Sequence, residues 1–287
     1  MRKKEWEERS MKFIFMLASL MSILAVVLIC LFLFANGIPA MKKIGLVNFL
    51  LGKDWSPANT PPTFGILPMI FGSLYVTAGA VLIGVPIGIF SAVFLAKFCP
   101  KPLYKILKPA VDLLAGIPSV VYGFFGMVTI VPFVRNVFGG DGNSILSAAI
   151  LLGLMILPTI IGLTESAIRA VPYELYENAV ALGASSERAM FSVVLPAAKS
   201  GVIAGIVLGI GRAIGETMAV IMVAGNQARM PKGILEGVRT LTANIVIEMG
   251  YAAELHREAL IATGVVLFVF ILLINLSFMA FRKEGMK

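Results

Sequence analysis

The chain has 287 residues, of which 59% are hydrophobic and only 14% are charged, and its mean hydropathy is +0.93. This composition excludes a soluble globular domain of this size and is typical of an integral membrane protein. The formal net charge of +8 would suit a nucleic-acid partner. However, the lysines and arginines lie between apolar segments and form no basic face interleaved with aromatic residues. We therefore interpret them as signals of membrane orientation and expect no nucleic-acid partner.

Six apolar segments are long enough to cross a lipid bilayer as helices. The first is too long for the apolar core of a secretory signal, so it counts as a span. The predicted spans are Phe13–Ala35, Pro68–Phe98, about Ala110–Val134, Ser144 to about Glu165, Gly201–Ala224 and Ala259–Phe281. With the N-terminus in the cytosol, fifteen lysines and arginines lie on the inner side, eight on the outer side, and Arg212 within the membrane. The sequence thus predicts an all-α protein with six transmembrane helices and both termini in the cytosol.

The segments between the spans suggest two parts. Residues 1–63 would form a cytosolic tail, the first transmembrane helix and an outer loop, and residues 64–287 a transmembrane domain with a cytosolic loop at 166–199. The outer loop from Asn36 to Thr63 is polar and proline-rich, so we expect a lid or linker with little core. A second polar outer segment runs from Gly225 to Glu258.

Three prolines and one acidic residue interrupt the apolar spans. Pro86, Pro118 and Pro158 are interpreted as kinks, because neighbouring membrane helices can cover the carbonyls that a proline frees. Asp112 follows a short basic turn that contains Lys97, Lys101, Lys105 and Lys108. It is predicted to lie at the membrane interface near the start of the third span.

The remaining candidates for polar chemistry are few. Cys30 lies in an apolar run, Cys99 lies beside the basic turn, and His256 is the only histidine. We therefore expect no disulfide, no metal site and no cofactor. Glu165 and Arg169 are four residues apart at the cytosolic end of the fourth span and are predicted to form an ion pair.

The cytosolic segment from Pro172 to Pro196 is predicted to form a pair of short helices. Pro172 suits the first turn of a helix and Gly183 its end, while Ser185 can cap a second helix with Glu187 in its first turn. The apolar residues of the first helix fall on one stripe, which consists of Leu175, Tyr176, Ala179, Val180 and Leu182. Periodicity alone does not distinguish a hairpin on the membrane face from a docking site.

The fifth predicted span has two unlike faces. One arc contains small and charged residues, namely Gly201, Gly205, Gly209, Arg212, Gly215, Glu216 and Ala219. The opposite side is apolar and contains Val202, Ile203, Ile206, Val207, Ile210, Ile214, Met218, Val220 and Ile221. The glycines would allow another helix to approach closely, and the apolar side would face lipid.

Arg212 and Glu216 are adjacent opposite charges within this span. They are four residues apart and can pair with each other or with neighbouring helices. A charge at the bilayer centre costs about 2.5–3.5 kcal/mol on insertion scales, so it normally faces protein or a wet cavity. Two interpretations stay open: Arg212 lines or gates an anion path while Glu216 holds it, or the two form a buried pair that fixes the helix register.

The hairpin resembles the EAA loop of ABC-type importer permeases. That motif reads Glu-Ala-Ala, three residues, Gly, nine residues, Ile, any residue, Leu-Pro. This chain has matching residues at Glu177, Ala179, Gly183, Leu195 and Pro196, and it departs from the motif at Asn178 and Val193. The resemblance implies that the loop is a coupling helix that sits in a groove on a separate ATPase subunit.

Three further blocks resemble the permeases of phosphate-specific (Pst) importers, and the PstC-type subunit in particular. They are FGILPMIFGSLYVT (64–77), AGIPSVVYGFFG (115–126) and GRAIGETMAVIMVAGN (211–226). The resemblance implies the six-span core of an ABC type I (MetI-like) importer in a bacterial or archaeal cytoplasmic membrane. It also implies four kinds of partner: a PstA-type second permease, ATPase subunits, an extracytoplasmic phosphate-binding protein, and phosphate as the substrate in the pathway.

Other functions remain alternatives at this stage. A permease for molybdate or sulfate would differ in the binding protein that stimulates it, and a stand-alone channel or carrier would not need the EAA loop. No Walker A motif, Gly-x-Ser-x-Gly elbow or His-Glu-x-x-His sequence occurs, so we expect a non-catalytic subunit whose partners hydrolyse ATP.

Overall fold

The protein is a bundle of long helices with one two-stranded ribbon. The computed structural model describes the backbone of residues 2–284 and the side chains of residues 11–277, so Lys287, one of the predicted inner charges, lies outside the described residues. The helices are α1 Arg2–Ile44, α2 Leu46–Leu51, α3 Leu67–Val93, α4 Lys101–Gly116, α5 Ser119–Phe125, α6 Val131–Phe138, α7 Ile145–Arg169, α8 Tyr173–Ala181, α9 Ser186–Ala189, α10 Leu195–Ala197, α11 Lys199–Gly215, α12 Met218–Val223, α13 Leu241–Met249 and α14 Glu254–Glu284. Strands β1 (Trp55–Ser56) and β2 (Thr63–Phe64) pair antiparallel, with Trp55 opposite Phe64. Three π-helical turns, at Phe94–Phe98, Gly126–Ile130 and Met190–Val194, extend or join helices.

The described residues contain five or six candidate membrane spans, where the sequence predicts six. Within the described residues, five continuous helical segments are long and apolar enough to cross a membrane, and a sixth is obtained if the pair Ser186–Ala197 and Lys199–Gly215, bent by 73°, counts as one span. The second and fourth predicted spans match α3 with its π-helical turn and α7 closely. The first and sixth helices are longer than predicted, and α1 continues to Ile44.

The third predicted span is wrong in its position. Residues Lys101–Gly116 form the separate amphipathic helix α4, and the membrane segment begins only at Ser119. Pro118 is the residue before this segment and not a kink within it. The predicted basic turn is therefore mostly helical, and Asp112 lies in α4, where its side chain is 61% exposed. Pro86 and Pro158 do lie inside continuous helices, α3 and α7.

Helix α7 lies at the centre of the bundle. It packs along α3 on one side and along α11 on the other. The largest buried cluster includes Leu151, Met155, Ile156 and Ile160 from α7, packed against residues of α3, α5 and α12. Burial of apolar residues along its length explains why a sequence of almost uninterrupted hydrophobicity forms this helix.

The outer loop from Asn36 to Thr63 is more ordered than predicted. Its first residues continue α1, α2 follows, and the ribbon closes it. The apolar residues Phe49, Trp55 and Phe64 are buried in a cluster with α13 and α14. The prediction of a linker with little core is thus wrong, because Phe49 and Trp55 within the polar sequence and Phe64 directly after it anchor the loop in this cluster.

The second outer segment also contains an unpredicted helix. The nine residues of α13 pack against α14, α3 and α12. Leu241, Thr242, Ala243, Asn244 and Glu248 are buried. The segment between the fifth and sixth spans is therefore inserted among the membrane helices and does not lie loosely over them.

Candidate translocation pathway and coupling hairpin

The turn of the cytosolic hairpin is built as the sequence predicts. Gly183 has φ of +89°, a conformation that costs an L-residue roughly 1–2 kcal/mol and glycine little. The amide of Gly183 donates to the carbonyl of Val180 (2.9 Å) and the amide of Ala184 to that of Ala179 (3.1 Å). This pair of bonds is a Schellman motif, which satisfies the last carbonyls of α8.

The second arm of the hairpin is capped by Ser185. Its hydroxyl accepts from the amide of Arg188 at 3.2 Å, which confirms the predicted cap. Hydrogen bonds from the backbone amide of Glu187 and from Ser185 lower the pKa of the exposed Glu187 carboxyl. This arm continues through the π-helical turn Met190–Val194 and ends at Ala197, one residue beyond Pro196.

The surface of the hairpin that faces away from the bundle is exposed. No residue of α8 is buried, and Leu182 is 90% exposed. Among the residues that match the EAA motif, Glu177, Gly183 and Pro196 are exposed, and Ala179 and Leu195 are half-buried. Most of the apolar stripe predicted for α8 therefore does not cover the core of its own chain.

The surface of the hairpin that faces the bundle is fixed to it by apolar packing and by a lysine–tyrosine contact. Met190 and Val194 are buried in a cluster with α3, α7 and α11. The ammonium group of Lys97 lies 3.3 Å from the centroid of the Tyr176 ring and 4.5 Å from that of Tyr173. The i, i+3 spacing of the two tyrosines was the available signal, but nothing in the sequence indicates that Lys97 is opposite them.

The cytosolic end of α7 carries an ionic network. Glu165, only 2% exposed, accepts from Arg169 Nε at 2.9 Å and from the Tyr104 hydroxyl at 2.7 Å, which confirms the predicted Glu165–Arg169 pair. Lys108 Nζ lies 3.4 Å from Glu165 and 3.0 Å from Asp112. Burial acts to lower the pKa of Lys108, but its bond with Asp112 and the charge of Glu165 outweigh this effect and the pKa is raised. The network joins α4 to α7.

The glycines of α11 allow it to approach α7. A Cβ atom at Gly201 would overlap that of Ala167, and one at Gly205 or Gly209 would lie within 3.2 Å or 3.1 Å of Leu163 or Ile160. Gly215 does not share this contact, because no atom of another described element lies within 4 Å of its Cβ position. The predicted packing face is thus wrong at Gly215.

The predicted lipid-facing side of α11 is also partly wrong. Val202, Ile210 and Ile214 are 8%, 7% and 4% exposed. The helical wheel assumed one partner helix, whereas α11 packs against α3 and α14 as well as α7. The exposed side of α11 instead contains Ala204, Leu208 and Gly215, with the half-buried Gly211 and Arg212 between them.

The fifth span is broken at Glu216 and Thr217, one helical turn after Arg212. Helix α11 ends at Gly215, Glu216 has an extended backbone (φ −68°, ψ 132°), and α12 begins at Met218. The Glu216 carboxylate accepts from the amides of Thr217 (3.0 Å) and Ala219 (3.2 Å) at the start of α12. The i, i+4 pairing assumed a continuous helix and is therefore wrong: Arg212 makes no ion pair with Glu216 or with any other residue in the part of the chain that the structure describes.

Helix α13 contacts this break from the outer side. The Thr242 hydroxyl donates to the carbonyl of Glu216 at 3.0 Å. At the other end of α13, Glu248 accepts from Trp55, forms an ion pair with Arg239 and lies within hydrogen-bond distance of His256 Nε2. Sequence reasoning missed these residues because it took the whole segment for a polar loop.

The exposed hairpin is thus joined through a bend of 73° to a membrane helix that is itself broken at Glu216, an arrangement that would suit a transport permease. The comparisons with known proteins agree with this class. The chain belongs to the family of binding-protein-dependent transport system inner membrane components, whose model matches residues 84–283. It is accordingly a multi-pass component of an inner membrane.

Two relatives illustrate the similarity in sequence. The probable ABC transporter permease protein YqgH of Bacillus subtilis is 39% identical over 266 residues, which cover 90% of this chain and 86% of the relative. The phosphate transport system permease protein PstC of Mesorhizobium japonicum is 35% identical over 276 residues, which cover 88% of this chain and 84% of the relative.

Two solved structures share the fold. An inward-facing methionine ABC transporter, MetNI, aligns with a TM-score of 0.62 at 20% identity, covering 77% of this chain and 95% of that chain. A bacterial alginate ABC transporter, solved with an alginate-bound periplasmic protein, aligns with a TM-score of 0.62 at 17% identity, covering 91% and 92%. The predicted type I importer permease fold is confirmed.

Proposed function

We propose that this chain is the PstC-type permease subunit of an ATP-driven importer of inorganic phosphate. The observation that carries the proposal is sequence similarity over most of the chain. Phosphate transport permeases from Mesorhizobium japonicum and Xylella fastidiosa are 35% and 34% identical to it, over 88% and 92% of its length. Membership in the importer family makes transport the function, and these relatives support phosphate as the substrate.

The position of Arg212 supports an anionic substrate. Phosphate at neutral pH is an anion, and moving it through hydrocarbon without a lined path is prohibitive. Arg212 is half-buried beside the exposed side of α11, and the carboxylate of Glu216 is bonded to the amides of α12. The positive charge of Arg212 is thus left for a mobile anion or for a group on a second subunit.

The hairpin supports coupling to separate ATPase subunits. Its exposed surface presents Leu182 and Glu177, and its inner surface is fixed to α3, α7 and α11. The 73° bend after Ala197 joins it directly to α11. In our proposal a displacement of the hairpin by a nucleotide-hydrolysing partner moves α11, and the chain itself performs no catalysis.

The remaining partners follow from the surfaces of α11 and of the outer segments. We assign the exposed side of α11, with Leu208 and Gly215, to contact with a PstA-type second permease across the pathway. An extracytoplasmic phosphate-binding protein would deliver the substrate to the outer side. We further propose that residues 1–63 are an addition at the edge of the transmembrane domain at 64–287, since α1 packs mainly along α14.

The proposal is tested by uptake of labelled phosphate into vesicles that contain the chain with its ATPase, second permease and binding protein. We expect uptake to require ATP and to be abolished in Arg212→Gln, with normal membrane insertion. Arg229→Gln, which removes an exposed outer charge, is the matched control and should retain uptake.

Three results would count against the proposal. Normal uptake by the Arg212→Gln variant would remove Arg212 from the pathway. Uptake of phosphate without ATPase or binding protein would indicate a channel or carrier. Stimulation by a molybdate- or sulfate-binding protein in place of the phosphate-binding protein would change the substrate.

A further inference from the structure

Helix α13 is attached at its N-terminal end to the break in the fifth span. Thr240 caps the helix by accepting from the amide of Ala243 at 3.2 Å. The amide of Leu241 donates to the hydroxyl of Ser73 in α3 at 3.0 Å. The hydroxyl of Thr242 donates to the carbonyl of Glu216, also at 3.0 Å. One end of α13 is therefore bonded to the peptide unit that separates α11 from α12.

The C-terminal end of α13 is attached to three outer segments through one carboxylate. Glu248 is only 6% exposed. Its Oε2 atom accepts from Trp55 Nε1 in the ribbon at 2.8 Å and lies 2.8 Å from His256 Nε2 at the start of α14. Its Oε1 atom pairs with Arg239, which also donates to the carbonyl of Asn226. Loss of this carboxylate would leave the half-buried guanidinium of Arg239 without its ion-pair partner.

The same segment also holds polar atoms that are buried without a partner. Among the described residues, Asn226 Oδ1, Gln227 Oε1 and Asn244 Nδ2 have no hydrogen-bond partner. Buried unpaired polar atoms are uncommon in a relaxed structure. These atoms lie close in sequence to the residues that attach α13 at its two ends.

We propose that α13 is a positioning element which sets the geometry of the helix break beside Arg212, and that Glu248 is the positioning residue that holds it. A nine-residue helix is a rigid rod about 13 Å long. Movement of the ribbon, of Arg239 or of the start of α14 therefore shifts the Thr242 hydroxyl that binds Glu216. Through this connection the outer surface of the protein controls the break in the pathway.

The first test is amide hydrogen exchange on the assembled transporter, followed in peptides that cover residues 213–220. Thr242→Val should accelerate exchange of the Thr217 and Ala219 amides about threefold to tenfold, as expected for loss of one hydrogen bond of about 0.5–1.5 kcal/mol. Glu248→Gln should accelerate the same amides although it lies at the far end of α13. Trp55→Phe, which keeps the ring but removes the donor to Glu248, should act in the same direction with a smaller effect.

Two controls separate this coupling from a general loss of stability. Thr263→Val removes a buried hydroxyl that bonds only within α14, and it should leave exchange at 213–220 unchanged. Thr242→Ser retains the hydroxyl and should restore the rate of the unmodified protein. If Glu248→Gln and Trp55→Phe accelerate exchange only at residues 239–256, Glu248 is a local stabiliser and the proposal is refuted.

The second readout is ATP hydrolysis in response to the loaded phosphate-binding protein, and this readout alone rests on the proposed function. The fold stimulation should fall in Thr242→Val and Glu248→Gln and persist in Thr263→Val. An unmodified transporter that fails to respond to the phosphate-binding protein would contradict the proposed function. The exchange experiment would then still decide the role of α13.

Discussion

Substitution of Gly201 by alanine tests whether the glycines of α11 are needed for its close packing on α7. The new methyl group would overlap the Cβ atom of Ala167, whereas non-bonded carbon atoms prefer a separation of about 3.5–4.0 Å. Helix α11 must therefore move away from α7 at this level. Such overpacking typically costs about 1–3 kcal/mol, and replacement of glycine within a helix returns about 0.5–1 kcal/mol.

Gly211→Ala is the matched control, because it makes the same chemical change on the same helix with no atom within 4 Å of the new methyl group among the described residues. Gly211→Ala should gain only the stabilisation that comes from replacing a glycine within a helix. Because Gly201→Ala gains the same stabilisation and also suffers the overpacking, the two variants should differ by about 1–3 kcal/mol in the free energy of unfolding. The assay is reversible unfolding of the isolated chain in mixed detergent micelles. Equal unfolding free energies for the two variants would refute the argument that the glycines of α11 are needed for contact with α7.

Two further substitutions test the hairpin and the inner ionic network. Leu182→Ser should weaken capture of the ATPase subunits by roughly ten- to a hundredfold, since burial of a leucine contributes about 1.5–3 kcal/mol. Because Leu182 is 90% exposed, thermal unfolding of the permease should not change, and Ile234→Ser, on the outer side, should affect neither measurement. Glu165→Gln should destabilise the purified chain by roughly 1–3 kcal/mol by leaving Arg169 and Lys108 without their carboxylate. The control is Asp112→Asn: the Asp112 side chain is 61% exposed, so this variant should change stability by less than about 1 kcal/mol. An equal loss of stability in Glu165→Gln and Asp112→Asn would show that the burial of Glu165 is unimportant.

The hydropathy pattern predicted the positions of α3 and α7 correctly, because their apolar runs are bounded by polar residues. The position that it predicted for the third span was wrong. The apolar positions of the amphipathic helix α4 lead directly into the membrane segment, so no change in composition marks the boundary. The boundary depends instead on the backbone of Ile117, which is extended (φ −67°, ψ 127°) because it precedes Pro118. The proline was visible in the sequence, but a kink and a boundary are equally consistent with a proline alone.

The hairpin was predictable in detail because its determinants are local. Gly183 and Ser185 specify the turn and the cap within a few residues of themselves. The partners of Lys97 and Glu248 were not predictable, because each depends on residues that are distant along the chain. Lys97 contacts residues 76 and 79 positions later, and Trp55 and Glu248 are 193 positions apart. No periodicity within one helix carries that information.

The break at Glu216 follows from a competition that a helical wheel ignores. In a continuous helix, Arg212 and Glu216 would neutralise each other at i, i+4. Gly215 weakens the helix at this point. The Glu216 carboxylate instead accepts two hydrogen bonds from backbone amides at the start of α12. Arg212 stays in the last turn of α11, where a cation is favoured by the carbonyl end of the helix. Each charge is thus stabilised by its own helix end, and the break leaves Arg212 without an ion-pair partner among the described residues. The geometry of the break therefore determines whether the fifth span contains a neutral pair or an unpaired cation at this level.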